Sequence, residues 1–184
     1  FNKIRLYFRD DSDAYTISLR ADKVDSVVVV NDVYGCFKTF KTQELTDTVY
    51  FTFKKRSLSP NASFLIQGIE LLNDAPGITY SEVGVNGAEV KSFLRCQDFT
   101  SQLATVNPDL VVVSLGTNDA YRLDFNEVVF YDYYDSLINI IRTSLPNSNI
   151  ILTTPGDGKR YRKTPLTENV LIRTSILALA KKNN

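Results

Sequence analysis

The sequence predicts an α/β domain built on a parallel sheet and preceded by an antiparallel β-sandwich, and three observations carry that expectation. Up to about Asn73, apolar residues alternate with period two and no helical spacing intervenes. Beyond Pro76 and Gly77, strand-like and helix-like stretches take turns. The strands of this second part are near-continuous apolar runs, as suits a sheet covered by helices. The division predicts a sandwich over residues 1–74 and an α/β domain over residues 75–184.

In the first part, "KIRLYFR" sets Ile4, Leu6 and Phe8 against Lys3, Arg5, Tyr7 and Arg9, and "TVYFTFKK" does the same with Val49, Phe51 and Phe53. Side chains alternate across a strand, so each trio falls on one face, which is the face to bury. Between and after them come "AYTISL", "DSVVVVND", "GCFKTF" and "SFLIQGIELLN", short, rich in β-branched and aromatic residues, and punctuated by Asp, Asn, Gly, Ser or Pro. Several such strands with no helix among them predict two packed antiparallel sheets. Tyr7, Tyr15, Tyr34 and Tyr50 are read as packing residues rather than as a binding surface.

In the second part, "ITYSEVG" is a strand candidate and "AEVKSFL" and "FTSQLATV" are helical. "DLVVVSLG" and "NIILTTPGDG" predict strands buried on both faces. Between those two runs, Phe130, Tyr134, Leu137, Ile138, Ile141 and Leu145 recur at helical spacing up to Pro146. Asp124 followed by Glu127 predicts a capping-box start for that helix. Thr164, with Pro165 at the first helical position, predicts the start of the final helix.

Composition narrows the functions. Lys plus Arg (21) balances Asp plus Glu (21) with no long run of either sign, which argues against nucleic acid and anionic membranes as partners. No apolar stretch approaches the roughly 20 residues of a membrane span. There is no histidine, so no side chain titrates near neutral pH unperturbed. There is no Met either, and the chain is expected to be a piece of something longer, opening inside a strand and closing on a helix that runs up to another strand. Cys36 and Cys96 stand outside any CxxC or Cys/His pattern; metal binding is not expected, and two buried free thiols are.

In open α/β sheets, function gathers in the loops beyond the carboxyl ends of the strands. Three loops fit: Gly84–Glu89, Gly116–Tyr121 and Pro155–Lys163. A backbone N–H at Gly87 and the side-chain amide of Asn118 are uncharged donors from neighbouring loops. Converging on one point, they suit an oxyanion, a charge that develops only in a tetrahedral transition state. Asp119 suits a backbone-binding role that holds its turn. Gly, Asn and Asp are also the commonest turn residues, so neither loop says this alone. Lys159, Arg160, Arg162 and Lys163 around Tyr161 read as a solvated loop, too short a cluster to name a partner.

Taken together, "GVNGAE" and, some 30 residues later, "VVVSLGTND" resemble the second and third sequence blocks of the SGNH hydrolases, also called GDSL-type esterases. The resemblance implies a flavodoxin-like hydrolase sheet and serine esterase chemistry with no cofactor. It assigns Gly87 and Asn118 to the oxyanion hole and Gly116 and Asp119 to the framework of the third block. The Gly-Asp-Ser block and the Asp-x-x-His block are absent, so nucleophile and base are expected outside these 184 residues, and the piece alone is expected to be inactive. The order of parts is similar to the peptidoglycan O-acetylesterase branch, where a jelly-roll, carbohydrate-binding-type module interrupts the hydrolase domain. That branch implies an acylated carbohydrate or peptidoglycan substrate and a secreted, periplasmic or cell-surface location. Two other readings remain: a carbohydrate-binding scaffold with an inactive hydrolase-like domain, and a flavin or nucleotide binder, which leaves Gly-x-Asn-Asp unexplained.

Overall fold

Six strands in the first 72 residues and a helix-rich remainder make up the computed structural model, which describes residues 1–10, 14–22, 27–31, 37–56 and 61–183. The chain divides into two units, Phe1–Tyr80 and Ser81–Asn184.

The first unit contains β1 (Lys3–Asp10), β2 (Tyr15–Ala21), β3 (Val27–Asn31), β4 (Phe37–Thr42), β5 (Val49–Lys55) and β6 (Phe64–Leu72). One antiparallel sheet runs β3-β4-β1-β6, and β2 pairs antiparallel with β5 in a second. The register of β1 on β6 steps from Tyr7↔Gly68 to Phe8↔Ile66, leaving Gln67 as the extra residue of a bulge. Ile4, Leu6 and Phe8 of β1 are buried as their alternation requires. They share a core with Phe40, Ile17, Phe51, Phe53 and Phe64, which come from both sheets. Aromatic contacts run through it, Phe40 edge-on to Phe51 at 5.6 Å and Phe8 stacked on Phe64 at 5.3 Å. Tyr7 packs on Phe37 and donates to Glu70, Tyr15 packs on Phe64, and Tyr50 lies under the Arg20 guanidinium; Tyr34 falls outside the described residues.

The second unit contains α1 (Val90–Leu94), α2 (Phe99–Val106), β7 (Leu110–Val113), α3 (Thr117–Ala120), α4 (Glu127–Ser144), β8 (Asn149–Leu152), β9 (Lys159–Arg160), β10 (Thr164–Pro165) and α5 (Glu168–Lys182). β7 and β8 pair in parallel, Leu110↔Asn149 through Val113↔Leu152, which the long return through α4 permits. Phe130, Tyr134, Leu137, Ile138 and Ile141 are buried along one stripe of α4. At ~2 kcal/mol each, their burial contributes on the order of 10 kcal/mol, so packing rather than propensity holds this helix. Ile172, Ile176 and Leu179 of α5 join the same core.

Several expectations are corrected. β7 and β8 are covered on one face only: Val111, Val113, Ile150 and Leu152 pack into the helical core, while Leu110, Val112 and Ile151 are about half exposed. Residues 78–84 form no strand; they find no pairing partner among the described residues, and Ile78, Tyr80 and Val83 are exposed. Asp124 does not cap α4, because the Arg122 guanidinium holds it at 2.8 Å; Asn126 is the cap, its side chain accepting from Val129 N at 3.1 Å. Thr164 and Pro165 do not open α5 but pair with Arg160 and Lys159, so the helix starts at Glu168. Cys96 is exposed at the end of α1, and Cys36 lies outside the described residues. Among the described residues no helix is long and apolar enough to cross a membrane, and no group of His, Cys, Asp and Glu is placed to hold a metal ion.

Candidate functional site

The three loops noted in the sequence meet in the second unit. Ala88 N donates to Val85 O at 3.0 Å, closing a turn with Gly87 at its second central position and φ +80°, where glycine is unstrained. Gly87 is exposed, and its N–H has no acceptor among the described residues. The chain then enters α1, whose start Glu89 organises by donating its N–H to Ser92 Oγ at 3.1 Å.

The second loop leaves β7 through Gly116, which adopts φ +121° and sits hard against α5: a Cβ there would lie 2.8 Å from Ile172 Cγ2. Only glycine satisfies both the backbone angle and the approach. The short helix α3 follows, and Asn118 Nδ2 donates to the Ala88 carbonyl at 2.8 Å. A primary amide has two N–H donors, so one holds the side chain against the Gly87 turn and the other remains. Asp119, buried, accepts from Val90 N with both oxygens at 3.2 and 3.3 Å. Burial and then the neighbouring Glu89 charge push its pKa up to about 6 against the pull of the Val90 hydrogen bond. Burial, with the Asp119 charge, also raises the Tyr134 phenol, which donates to Val113 O.

Two arginines tie the loops together. Arg122 reaches Glu89 at 3.2 Å and Asp124 at 2.8 Å. Partial burial works against ionisation of Glu89, but hydrogen bonds from Lys91 and Arg122 outweigh it and hold its carboxyl below the usual range. Arg160, from the third loop, donates to the carbonyls of Ala120, Tyr121 and Arg122 at 3.0, 3.1 and 3.2 Å and pairs with Glu168 at 3.1 Å. These carbonyls belong to the last residue of α3, its C-cap and the residue after it, where helix geometry supplies no partner, and a guanidinium fork suits them in number and charge.

Gly87, Asn118, Gly116 and Asp119 are thus brought together by hydrogen bonds between segments some 30 residues apart. The Arg160 contacts and the Arg122–Glu89 bridge were not anticipated. Nothing local separates Arg160 from Arg162, and a pair 33 residues apart leaves no mark on periodicity.

The family model described as GDSL-like lipase/acylhydrolase matches residues 46–183. A solved structure, "Peptidoglycan O-acetylesterase in action, 5 min", is similar in fold with a TM-score of 0.64 and 18% identity over 98% of this chain. The chain spans 49% of that structure's own chain, about half its length. No curated protein matches.

Proposed function

The chain belongs to the GDSL-like lipase/acylhydrolase family, and from that premise we propose that the full-length protein is a serine ester hydrolase in which the Gly87 N–H and the Asn118 side-chain amide hold the oxyanion. The observation that carries this reading is the anchoring of Asn118 on Ala88. One amide N–H is spent at 2.8 Å on the carbonyl of Ala88, the residue next to Gly87, and the other remains for a ligand, as does the N–H of Gly87, which has no acceptor among the described residues. Both donors are neutral and set in place before any charge develops, so they favour the transition state over the neutral ester.

The reaction proceeds by acyl transfer. A serine hydroxyl attacks the acyl carbon while histidine takes its proton, and the carbonyl electron pair moves onto oxygen, which accepts hydrogen bonds from the two donors. The pair returns, the alcohol leaves with the proton, and water repeats the sequence to free the acid. Residues 1–184 contain no histidine and no Gly-Asp-Ser block, so both reacting groups come from elsewhere in the full-length protein. Asp119 and Gly116 position the donors and do not touch substrate.

The substrate is an acylated carbohydrate, with O-acetylated peptidoglycan as the first candidate because of the fold shared with a peptidoglycan O-acetylesterase. On this reading Phe1–Tyr80 is a jelly-roll-like module that helps hold the polymer, and the protein works outside the cytoplasm.

The test is to assay the full-length protein on p-nitrophenyl acetate and on acetylated sugar polymer beside its Asn118→Ala variant and the 184-residue piece. Turnover that falls ~10²–10³-fold in a folded Asn118→Ala variant, with a silent piece, supports the assignment. An inactive full-length protein, or an Asn118→Ala variant with unchanged turnover, removes it in favour of a glycan-binding scaffold.

A further inference from the structure

Lys159–Pro165 forms a tight hairpin, with Thr164 opposite Arg160 and Pro165 opposite Lys159. Lys163 N donates to Arg160 O at 3.0 Å, closing a four-residue turn whose two central residues are Tyr161, φ +52°, and Arg162, φ +62°. Two positive φ angles in succession are the mark of the type I′ turn, for which Asn-Gly is the preferred pair. Holding an aromatic and a long cationic residue there costs about 1–2 kcal/mol apiece. Strain of this kind persists where the side chains serve a purpose that the backbone would not choose.

What the strain presents is a small built surface. Tyr161 is 75% exposed and meets Tyr121 edge-on at 5.7 Å and 75°. Tyr161 N donates to the Tyr121 hydroxyl at 2.7 Å, which holds the Tyr121 ring against the hairpin backbone while the Tyr161 side chain stays exposed. Lys159, Arg162 and Lys163 are exposed around it and make no ion pair among the described residues. The base of the hairpin is pinned by Arg160 to the carbonyls of residues 120–122, which begin two residues after Asn118.

We propose that Tyr161, backed by Tyr121 and flanked by Lys159, Arg162 and Lys163, is a docking site for a carboxylate-bearing glycan chain, placed beside the Asn118 loop; the choice of glycan rests on the ester hydrolase reading above. A sugar ring offers a face of C–H groups that packs on an aromatic ring, and a pendant carboxylate pairs with guanidinium or ammonium. The cluster is too small to neutralise a phosphate backbone, and the chain as a whole carries no net charge, which disfavours nucleic acid.

The test replaces the strained pair by the pair the turn prefers, Tyr161→Asn with Arg162→Gly, in the full-length protein. Thermal unfolding is measured together with calorimetric binding of two probes. One is peptide-free peptidoglycan glycan strands, which carry a carboxylate on alternate sugars; the other is chitin oligosaccharide of equal length, which carries none. The expected result is a variant at least as stable as the parent that binds the anionic strands about tenfold more weakly, a loss of ~1.4 kcal/mol. The parent is expected to prefer anionic strands to chitin by a similar factor. Unchanged affinity in the variant, equal binding of chitin, or no binding by the parent overturns the proposal. Binding is read without turnover, so an enzymatically silent protein with the expected binding pattern removes the hydrolase reading and leaves the docking site standing.

Discussion

Asn118 Nδ2 lies 2.8 Å from the carbonyl oxygen of Ala88, thirty residues back along the chain, so the loop after β7 and the loop before α1 form one hydrogen-bonded unit. The bond fixes the amide plane and decides which of its two N–H groups is free. The substitution Asn118→Asp therefore does more than remove a donor: it sets a carboxylate against the Ala88 carbonyl and aims negative charge where an oxyanion would form. Turnover of the full-length protein is expected to fall by at least the ~10²–10³-fold of losing one donor. An Asn118→Asp variant retaining full kcat in steady-state kinetics would contradict the role.

Gly116 carries two penalties for any side chain. The positive φ costs ~1–2 kcal/mol, and overpacking against Ile172 adds about 1–3 kcal/mol, so Gly116→Ala is expected to destabilise by about 2–5 kcal/mol. The two parts separate in a double-mutant cycle with Ile172→Ala, which removes the atom 2.8 Å from the new methyl. Denaturant unfolding should show the Gly116→Ala penalty shrinking to its backbone part in the Ile172→Ala background. Simple additivity would mean that the close approach carries no energy.

Asp119 makes stability depend on pH. Its pKa is raised from 3.8 to about 6, so the folded state holds the proton more tightly than the unfolded chain does. The favourable contribution is complete below pH 3.8 and is lost as pH rises through about 6. Allowing for partial screening by water, the loss is on the order of 2 kcal/mol. Urea unfolding between about pH 4 and 7 should show the parent losing stability relative to Asp119→Asn, which keeps one acceptor for Val90 N and does not ionise. Parallel curves would place the ionisation elsewhere.

Arg160 holds three successive carbonyls at the end of α3. Removing it in Arg160→Ala withdraws a charge-assisted partner from all of them and is expected to cost about 2–3 kcal/mol. Arg160→Lys keeps the charge but lacks the planar fork that reaches several oxygens at once, so it should recover less than half of that loss. Recovery of full thermal stability by lysine would show that charge alone, not the fork, caps this helix.

How much was legible in advance follows from the range of each interaction. Phe130 through Ile141 could be read as a buried helix stripe, and Ile4, Leu6 and Phe8 as one buried strand face. Periodicity is a local property that burial converts into structure. "GVNGAE" and "GTND" sufficed to identify the family, since short loops of special geometry admit few residue types. Caps and helix starts were less legible. Asp124 suits a cap by residue type, yet Asn126 takes that place, because Arg122, bridging to Glu89, engages Asp124. Thr164 and Pro165 suit a helix N-terminus, yet pairing with Lys159 and Arg160 took them into a hairpin.

By itself, then, the sequence determined the longer strands and helices, their apolar stripes and the loop residues that name the family, but not the strand expected over residues 78–84 or the hairpin before α5. Tertiary structure alone decided which face of β7 and β8 is covered, which carbonyl orients Asn118, how far Asp119 is shielded from water, and which of four neighbouring cations becomes the clamp on α3. Those outcomes depend on groups 30 to 40 residues apart coming within hydrogen-bond reach, and a pairing at that distance is set by packing of the whole unit, not by the neighbours in the chain.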